Sequence, residues 1–239
     1  MVYSRWKYLL GDMIKVRPVE LKGRGRRIHE PFYKDIKEAV EDIYSEIKAD
    51  IDQTQYALFG HSMGSTLVYE LAAKISEEGG REPEHAFLSG RYPPHVKKNE
   101  RILHLLPLHE FIEEILELGG TQKEFLENKE LMDIFMPILW ADYRMIETYS
   151  PSPDIFKMNC SITVLDGKED TKTTREDMAE WRLYTRKECS IHEFDGGHFF
   201  IHEKDREVAG IIRNNLYNGI MKGNKDGIRL QQIVPSVYE

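Results

Sequence analysis

Apolar residues recur along this chain in two alternating periods. In some segments they lie three and four residues apart, which is the spacing of one face of a helix. In others they form short runs or alternate with polar residues, as strands do. The predicted strands cover residues 14–21, 56–59, 86–88, 162–165 and 191–194, and the predicted helices cover residues 33–48, 63–76 and 205–221. Because strands alternate with helices, the pattern indicates βαβ units and a parallel sheet.

Residues 92–150 interrupt this alternation. Helical spacing appears at 109–118, 122–136 and 138–149, and no strand pattern separates these segments. A helical insertion between two strands predicts a lid over one end of the sheet, with a purely structural helical subdomain as the alternative. We therefore expect a single domain over residues 1–239 that carries a helical lid at about 92–150.

Composition narrows the class of protein. A chain of 239 residues can bury the core of one α/β domain. Its net charge of −8 argues against nucleic acid as a partner, and no apolar run is long enough to span a membrane. The two cysteines, Cys160 and Cys189, have no metal-binding spacing, so we expect a reduced, cytoplasmic protein.

The segment Gly60-His61-Ser62-Met63-Gly64 carries the first candidate chemistry. A GxSxG motif is a weak signal by itself. Here a predicted strand precedes it and a predicted helix follows, which is the context of the nucleophile in an α/β-hydrolase. The amino terminus of that helix would also direct backbone N–H groups toward an oxyanion. The sequence therefore predicts an α/β-hydrolase fold with Ser62 as the nucleophile.

A serine nucleophile needs a histidine base, which in this fold follows the acid along the chain. His192 lies inside the last predicted strand and His202 lies beside the last helix. His198 directly follows Gly196-Gly197, on a loop at the carboxyl end of that strand. His198 is therefore the predicted base.

The acid is expected on the loop after the strand at 162–165, where three carboxylates compete. Asp166 lies against the strand end, where it could cap the turn, and Glu169 has the character of a solvated charge. Asp170 is the predicted acid, which would orient His198 and stabilise the imidazolium that forms. Asp166 and Glu169 remain the alternatives.

Several longer stretches resemble one family closely. They include "LFGHSMGS" (58–65), "LSGRYPP" (88–94), "VLDGKEDTK" (164–172) and "FDGGHFFIHE" (194–203), together with "VELKGRGRR" (19–27) and a long match at 116–149. The chain resembles the type II thioesterases, free-standing α/β-hydrolases that accompany nonribosomal peptide and polyketide synthases. In that family the acid lies in a G-x-x-D segment, which falls on Asp170, and the histidine of GGHFF falls on His198.

The resemblance implies hydrolysis of acyl or aminoacyl thioesters on the phosphopantetheine arm of carrier domains. An acyl-Ser62 intermediate would form and water would clear it. The implied partners are acyl and peptidyl carrier domains, and the protein is expected to be a monomer. No metal or redox cofactor is required, and neither nucleic acid nor membrane is an expected partner.

One departure from the family pattern affects both fold and activity. Family members begin with a strand and an F-P-x-A-G-G loop, and neither is recognisable here. In the family, that strand lies between the strands equivalent to residues 14–21 and 56–59. The loop supplies one of the two oxyanion-hole N–H groups, and the other would come from Met63. We therefore expect a gap in the sheet, poor stability and weak hydrolysis, and a chain that is part of a longer protein. A general carboxylesterase and a catalytically weakened carrier-binding protein are the alternative functions.

Overall fold

Six parallel strands form one sheet in the computed structural model, which describes residues 2–99, 101–117, 128–220 and 228–233. The strands are β1 Ile14–Val19, β2 Tyr56–His61, β3 His85–Ser89, β4 Ser161–Gly167, β5 Cys189–Phe194 and β6 Ile228–Ile233. The α-helices are α1 Val2–Leu9, α2 Ile36–Ile51, α3 Met63–Glu77, α4 Leu108–Glu117, α5 Lys129–Glu147, α6 Arg175–Ala179, α7 Phe200–Glu203 and α8 Asp205–Ile220. Within these ranges, no helix is both long enough and apolar enough to cross a bilayer.

The strands and helices predicted outside the insertion are all present, with their ends moved by a few residues. Helix α2 begins later than its apolar spacing indicates because Asp35 caps it. The Asp35 side chain accepts a hydrogen bond from the backbone N–H of Glu38 at 2.8 Å. The short helices α6 and α7 were not predicted, since neither is long enough to show a helical period.

The insertion between β3 and β4 contains helices α4 and α5 in its described part. Helix α4 matches the segment predicted at 109–118 up to residue 117. The segments predicted at 122–136 and 138–149 correspond to the single helix α5, while residues 122–127 lie outside the described part. The predicted boundary at Pro137 was therefore wrong. Proline removes one helical hydrogen bond, and here the helix continues because Ile138 and Leu139 bury their side chains just beyond it.

The strand order is β1-β6-β2-β3-β4-β5, so the C-terminal strand lies inside the sheet. Strand β6 pairs with β1 over its whole length and with β2 up to the pair formed by Gly60 and Ile233. It fills the position between β1 and β2 where we expected a gap. That expectation was wrong for the described structure, because the segment around Leu230 forms a strand that was not predicted.

The core lies on both faces of the sheet. On one face, helices α2 and α3 contribute residues such as Ile43 and Leu67. On the other, α1 and α8 contribute Trp6 and Ile212, which belong to the same cluster as Phe59 of β2. Since every strand runs in the same direction, the loops after β2, β4 and β5 emerge at one edge of the sheet.

Candidate active site

Ser62 occupies a strained turn between β2 and α3. Its backbone angles are φ 54° and ψ −122°, and it is the only non-glycine residue with positive φ among those described. The turn is tight at its base: a Cβ added to Gly60 would lie 2.1 Å from the carbonyl oxygen of Gly64. Only glycine fits at position 60, and the turn presents Ser62 at the carboxyl edge of the sheet.

Strand β3 holds this turn in place. The Ser62 backbone N–H donates to the Ser89 carbonyl at 2.8 Å. The Ser65 hydroxyl oxygen lies 3.0 Å from the carbonyl oxygens of Gly60 and Ser89, and it accepts from the Ser89 N–H at 2.9 Å. These bonds satisfy the buried polar groups of the turn and fix its conformation.

The structure brings together the three side chains predicted from the sequence. His198 Nε2 lies 3.0 Å from Ser62 Oγ, and His198 Nδ1 lies 2.6 Å from Asp170 Oδ2. The loops that carry His198 and Asp170 approach closely because position 167 is glycine. A Cβ added to Gly167 would lie 2.3 Å from the carbonyl oxygen of Gly197. The arrangement allows proton transfer from the serine to the imidazole, while the catalytic roles remain predictions.

The competing carboxylates have other partners. Both oxygens of Asp166 accept from the Thr173 hydroxyl, at 2.9 and 2.7 Å, and burial raises the pKa of Asp166 to about 7. Glu169 accepts a hydrogen bond from the Gly196 N–H. Asp170 is buried, and its Oδ1 accepts from the Lys172 N–H at 2.8 Å while Oδ2 faces the imidazole.

The other two histidines considered from the sequence lie elsewhere in the fold. His192 is part of strand β5, and His202 lies in helix α7. Burial lowers the pKa of both side chains, so each favours the neutral form.

Met63 is the first residue of α3. The first N–H groups of a helix have no carbonyl partner within it, and the helix dipole adds partial positive charge at this end. The Met63 amide directly follows Ser62, and its role as an oxyanion-hole donor stays a prediction.

Sequence reasoning overlooked His61, since only histidines after Ser62 were considered as bases. His61 is buried, with Nδ1 2.9 Å from Ser89 Oγ and its ring centroid 5.0 Å from that of His198. Burial holds the pKa of His61 well below its usual range. A neutral ring is thus packed against His198. The strand predicted at 56–59 ended before His61, whereas in the structure His61 is the last residue of the wholly buried strand β2.

A pocket of about 690 Å³, its open mouth included, lies over Ser62 and His198. Helix α5 forms part of the wall through residues that include Asp142 and Ile146. Asp142 is bound by buried Arg24, with guanidinium–carboxylate distances of 2.8 and 2.6 Å. This bidentate pair ties the insertion to the loop after β1.

A parallel sheet, a strained serine turn leading into a helix, and a histidine and carboxylate on later loops together define an α/β-hydrolase. Similar solved structures are thioesterases of that fold, which confirms the fold class predicted from the sequence. Residues 1–216 match the thioesterase domain family. The chain belongs to the thioesterase family.

Individual relatives agree with this assignment. The chain is 33% identical over 214 residues to the gramicidin S biosynthesis protein GrsT of Aneurinibacillus migulanus, covering 90% of this chain and 83% of that protein. The crystal structure of ClbQ from the colibactin NRPS/PKS pathway is 34% identical with a TM-score of 0.87, covering 93% of each chain. BorB, the type II thioesterase from the borrelidin biosynthetic cluster, is 32% identical with a TM-score of 0.74, covering 82% of this chain and 79% of that one. The resemblance to type II thioesterases is confirmed.

Proposed function

We propose that this protein hydrolyses acyl or aminoacyl thioesters on the phosphopantetheine arm of carrier domains. Its role would be to restore free carrier thiols in nonribosomal peptide or polyketide synthesis. The observation that carries the proposal is the continuous contact from Asp170 through His198 to Ser62, at the base of a pocket in a thioesterase-family chain. Similarity to ClbQ and BorB supports the choice of carrier-bound substrates.

The reaction has two halves that use the same groups. Ser62 Oγ attacks the thioester carbonyl while His198 Nε2 takes its proton, and the Met63 N–H stabilises the oxyanion. The intermediate collapses, the carrier sulfur leaves with the proton from His198, and an acyl-Ser62 ester remains. His198 then takes a proton from water as the water oxygen attacks that ester. The intermediate collapses with cleavage of the bond to Ser62 Oγ, which receives the proton from His198, and the free acid is released.

Asp170 and the insertion act on this reaction indirectly. Asp170 accepts from His198 Nδ1, which leaves Nε2 free to take the serine proton and favours the imidazolium once it forms. The described part of the insertion contributes α5 to the pocket wall, and in the proposal it serves as a lid that limits acyl size. The carrier domain is the proposed protein partner.

The direct test uses acetyl-phosphopantetheinyl carrier protein, with acyl loss followed by mass spectrometry. Wild type should remove the acetyl group and Ser62→Ala should not. Ser45→Ala is the matched control, because Ser45 is an exposed residue of α2. Faster turnover of a simple ester than of the carrier thioester would favour a carboxylesterase. Carrier binding without hydrolysis by wild type would favour a binding protein.

A further inference from the structure

The carboxylates that line the active-site pocket are all engaged. Asp142 is paired with Arg24. Glu147 accepts from the backbone N–H groups of Leu103 and His104, at 2.7 and 2.9 Å, and lies 2.6 Å from His104 Nδ1. The negative charge in the wall is therefore directed at protein donors and is not available to a ligand.

The cations in the same wall are only partly compensated. Arg101 pairs with Glu110 and Glu114 outside the pocket. Arg91 and Lys172 also line the pocket, and neither forms an ion pair with any carboxylate in the described part of the chain. The chain as a whole has a net charge of −8. Two uncompensated positive side chains beside the nucleophile therefore give this pocket the opposite charge.

The backbone of each of these two residues is held in position, and a ring contact also positions the Arg91 guanidinium. The Arg91 guanidinium lies 4.4 Å from the centroid of the Tyr92 ring, and its backbone carbonyl accepts from Trp181 Nε1 at 2.8 Å. The Lys172 N–H donates to Asp170, and its carbonyl accepts from Lys98 Nζ at 2.8 Å. Each side chain is half-buried, where a charge-assisted hydrogen bond is stronger than at an open surface.

We propose that Arg91 and Lys172 form a subsite for an anionic group of the substrate, the carboxylate of a dicarboxylic acyl group such as succinyl. This inference rests on the proposed function and specifies its acyl preference. The thioester carbonyl would lie at Ser62, and the distal carboxylate would be bound by the two cations in the same pocket. An acyl group with a neutral or ammonium terminus would leave them unsatisfied.

The phosphate of the pantetheine arm is a second possible source of the anion. A neighbouring groove is lined by Arg91, Lys97 and Lys98 but not by Lys172, so of these two cavities in the described structure the active-site pocket is the one that both cations line. The whole pantetheine chain separates the phosphate from the thioester, whereas a short diacid places its carboxylate next to the thioester. The acyl carboxylate therefore fits the pair better.

The experiment compares thioesters of succinyl and butyryl groups, which have the same number of carbons. Each acyl group is offered on the carrier and on N-acetylcysteamine, a thiol without a phosphate. The measured quantity is the ratio of kcat/KM for succinyl over butyryl. Wild type should favour succinyl on both thiols, and Arg91→Gln and Lys172→Gln should each lower the ratio about tenfold to a hundredfold. Arg91→Lys should recover part of the loss. Lys97→Gln removes an exposed charge outside the pocket and should leave the ratio as in wild type.

The remaining outcomes each exclude one idea. Hydrolysis of butyryl-carrier with an unchanged ratio in both variants would overturn the subsite and leave the proposed function standing. If the variants slow both carrier substrates equally and leave the N-acetylcysteamine substrates unaffected, the anion is the phosphate and the carboxylate subsite is wrong. Hydrolysis of no carrier thioester by wild type would overturn the proposed function, and this inference with it.

Discussion

Replacing Gln231 with leucine should make the protein more stable. Gln231 lies on β6 between Arg17 of β1 and Leu58 of β2, and its side chain is fully buried. Neither its amide nitrogen nor its amide oxygen has a hydrogen-bond partner among the described residues. A buried polar group without a partner costs about 1–3 kcal/mol, and leucine has a similar volume and no polar atoms. We expect Gln231→Leu to raise the free energy of unfolding by about 1–3 kcal/mol.

The assay is urea unfolding at equilibrium, in which the midpoint should rise while the denaturant slope stays constant. In a thermal scan, each kcal/mol should raise Tm by about 2–4 °C for a chain of this size. Gln53→Leu is the matched control, because Gln53 is exposed in the turn after α2 and should change stability little. If Gln231→Leu lowers the unfolding free energy, or does no better than Gln53→Leu, the buried position of β6 between β1 and β2 is refuted.

Three further predictions concern the site and its supports. Asp170→Asn should lower kcat by about 10⁴, as loss of the acid does in serine hydrolases. Asp52→Asn, at an exposed position, is the control and should leave kcat unchanged. A loss of kcat below tenfold in Asp170→Asn would exclude Asp170 as the acid. The pKa of Asp166 is higher in the folded protein than in the unfolded chain, so the unfolded chain releases this proton first as pH rises. The free energy of unfolding of wild type should therefore fall as pH rises from about 4 to about 7. The stability of Asp166→Asn relative to wild type should therefore grow over that range in urea titrations, and a constant difference would contradict the raised pKa. Gly60→Ala should cost about 1–3 kcal/mol or more through its clash with Gly64 and reduce acyl-enzyme formation. Gly210→Ala, in open space on α8, should be neutral or stabilising by up to about 1 kcal/mol, and similar melting curves for the two variants would argue against the tight turn.

Periodicity and motif order along the chain were enough to predict most of the elements and the candidate chemistry. Apolar spacing located five strands and the main helices, because the side-chain period of an element is a local property of the chain. Chain order narrowed the candidates to Ser62, a carboxylate after β4 and His198. The motifs around these residues occur in the same order as in the type II thioesterases and extend along most of the chain, so the sequence also indicated the family.

The way in which distant segments meet could be read only from the folded protein. The C-terminal strand β6 lies between β1 and β2, a pairing that depends on which sheet position is free and not on the local pattern around Leu230. The sequence offered Asp166, Glu169 and Asp170 as acids, and the direction of the loop after β4 aims Asp170 at the imidazole. The physical reason is the same in both cases: local periodicity specifies an element, whereas its neighbours and the direction of its side chains depend on packing across the whole fold.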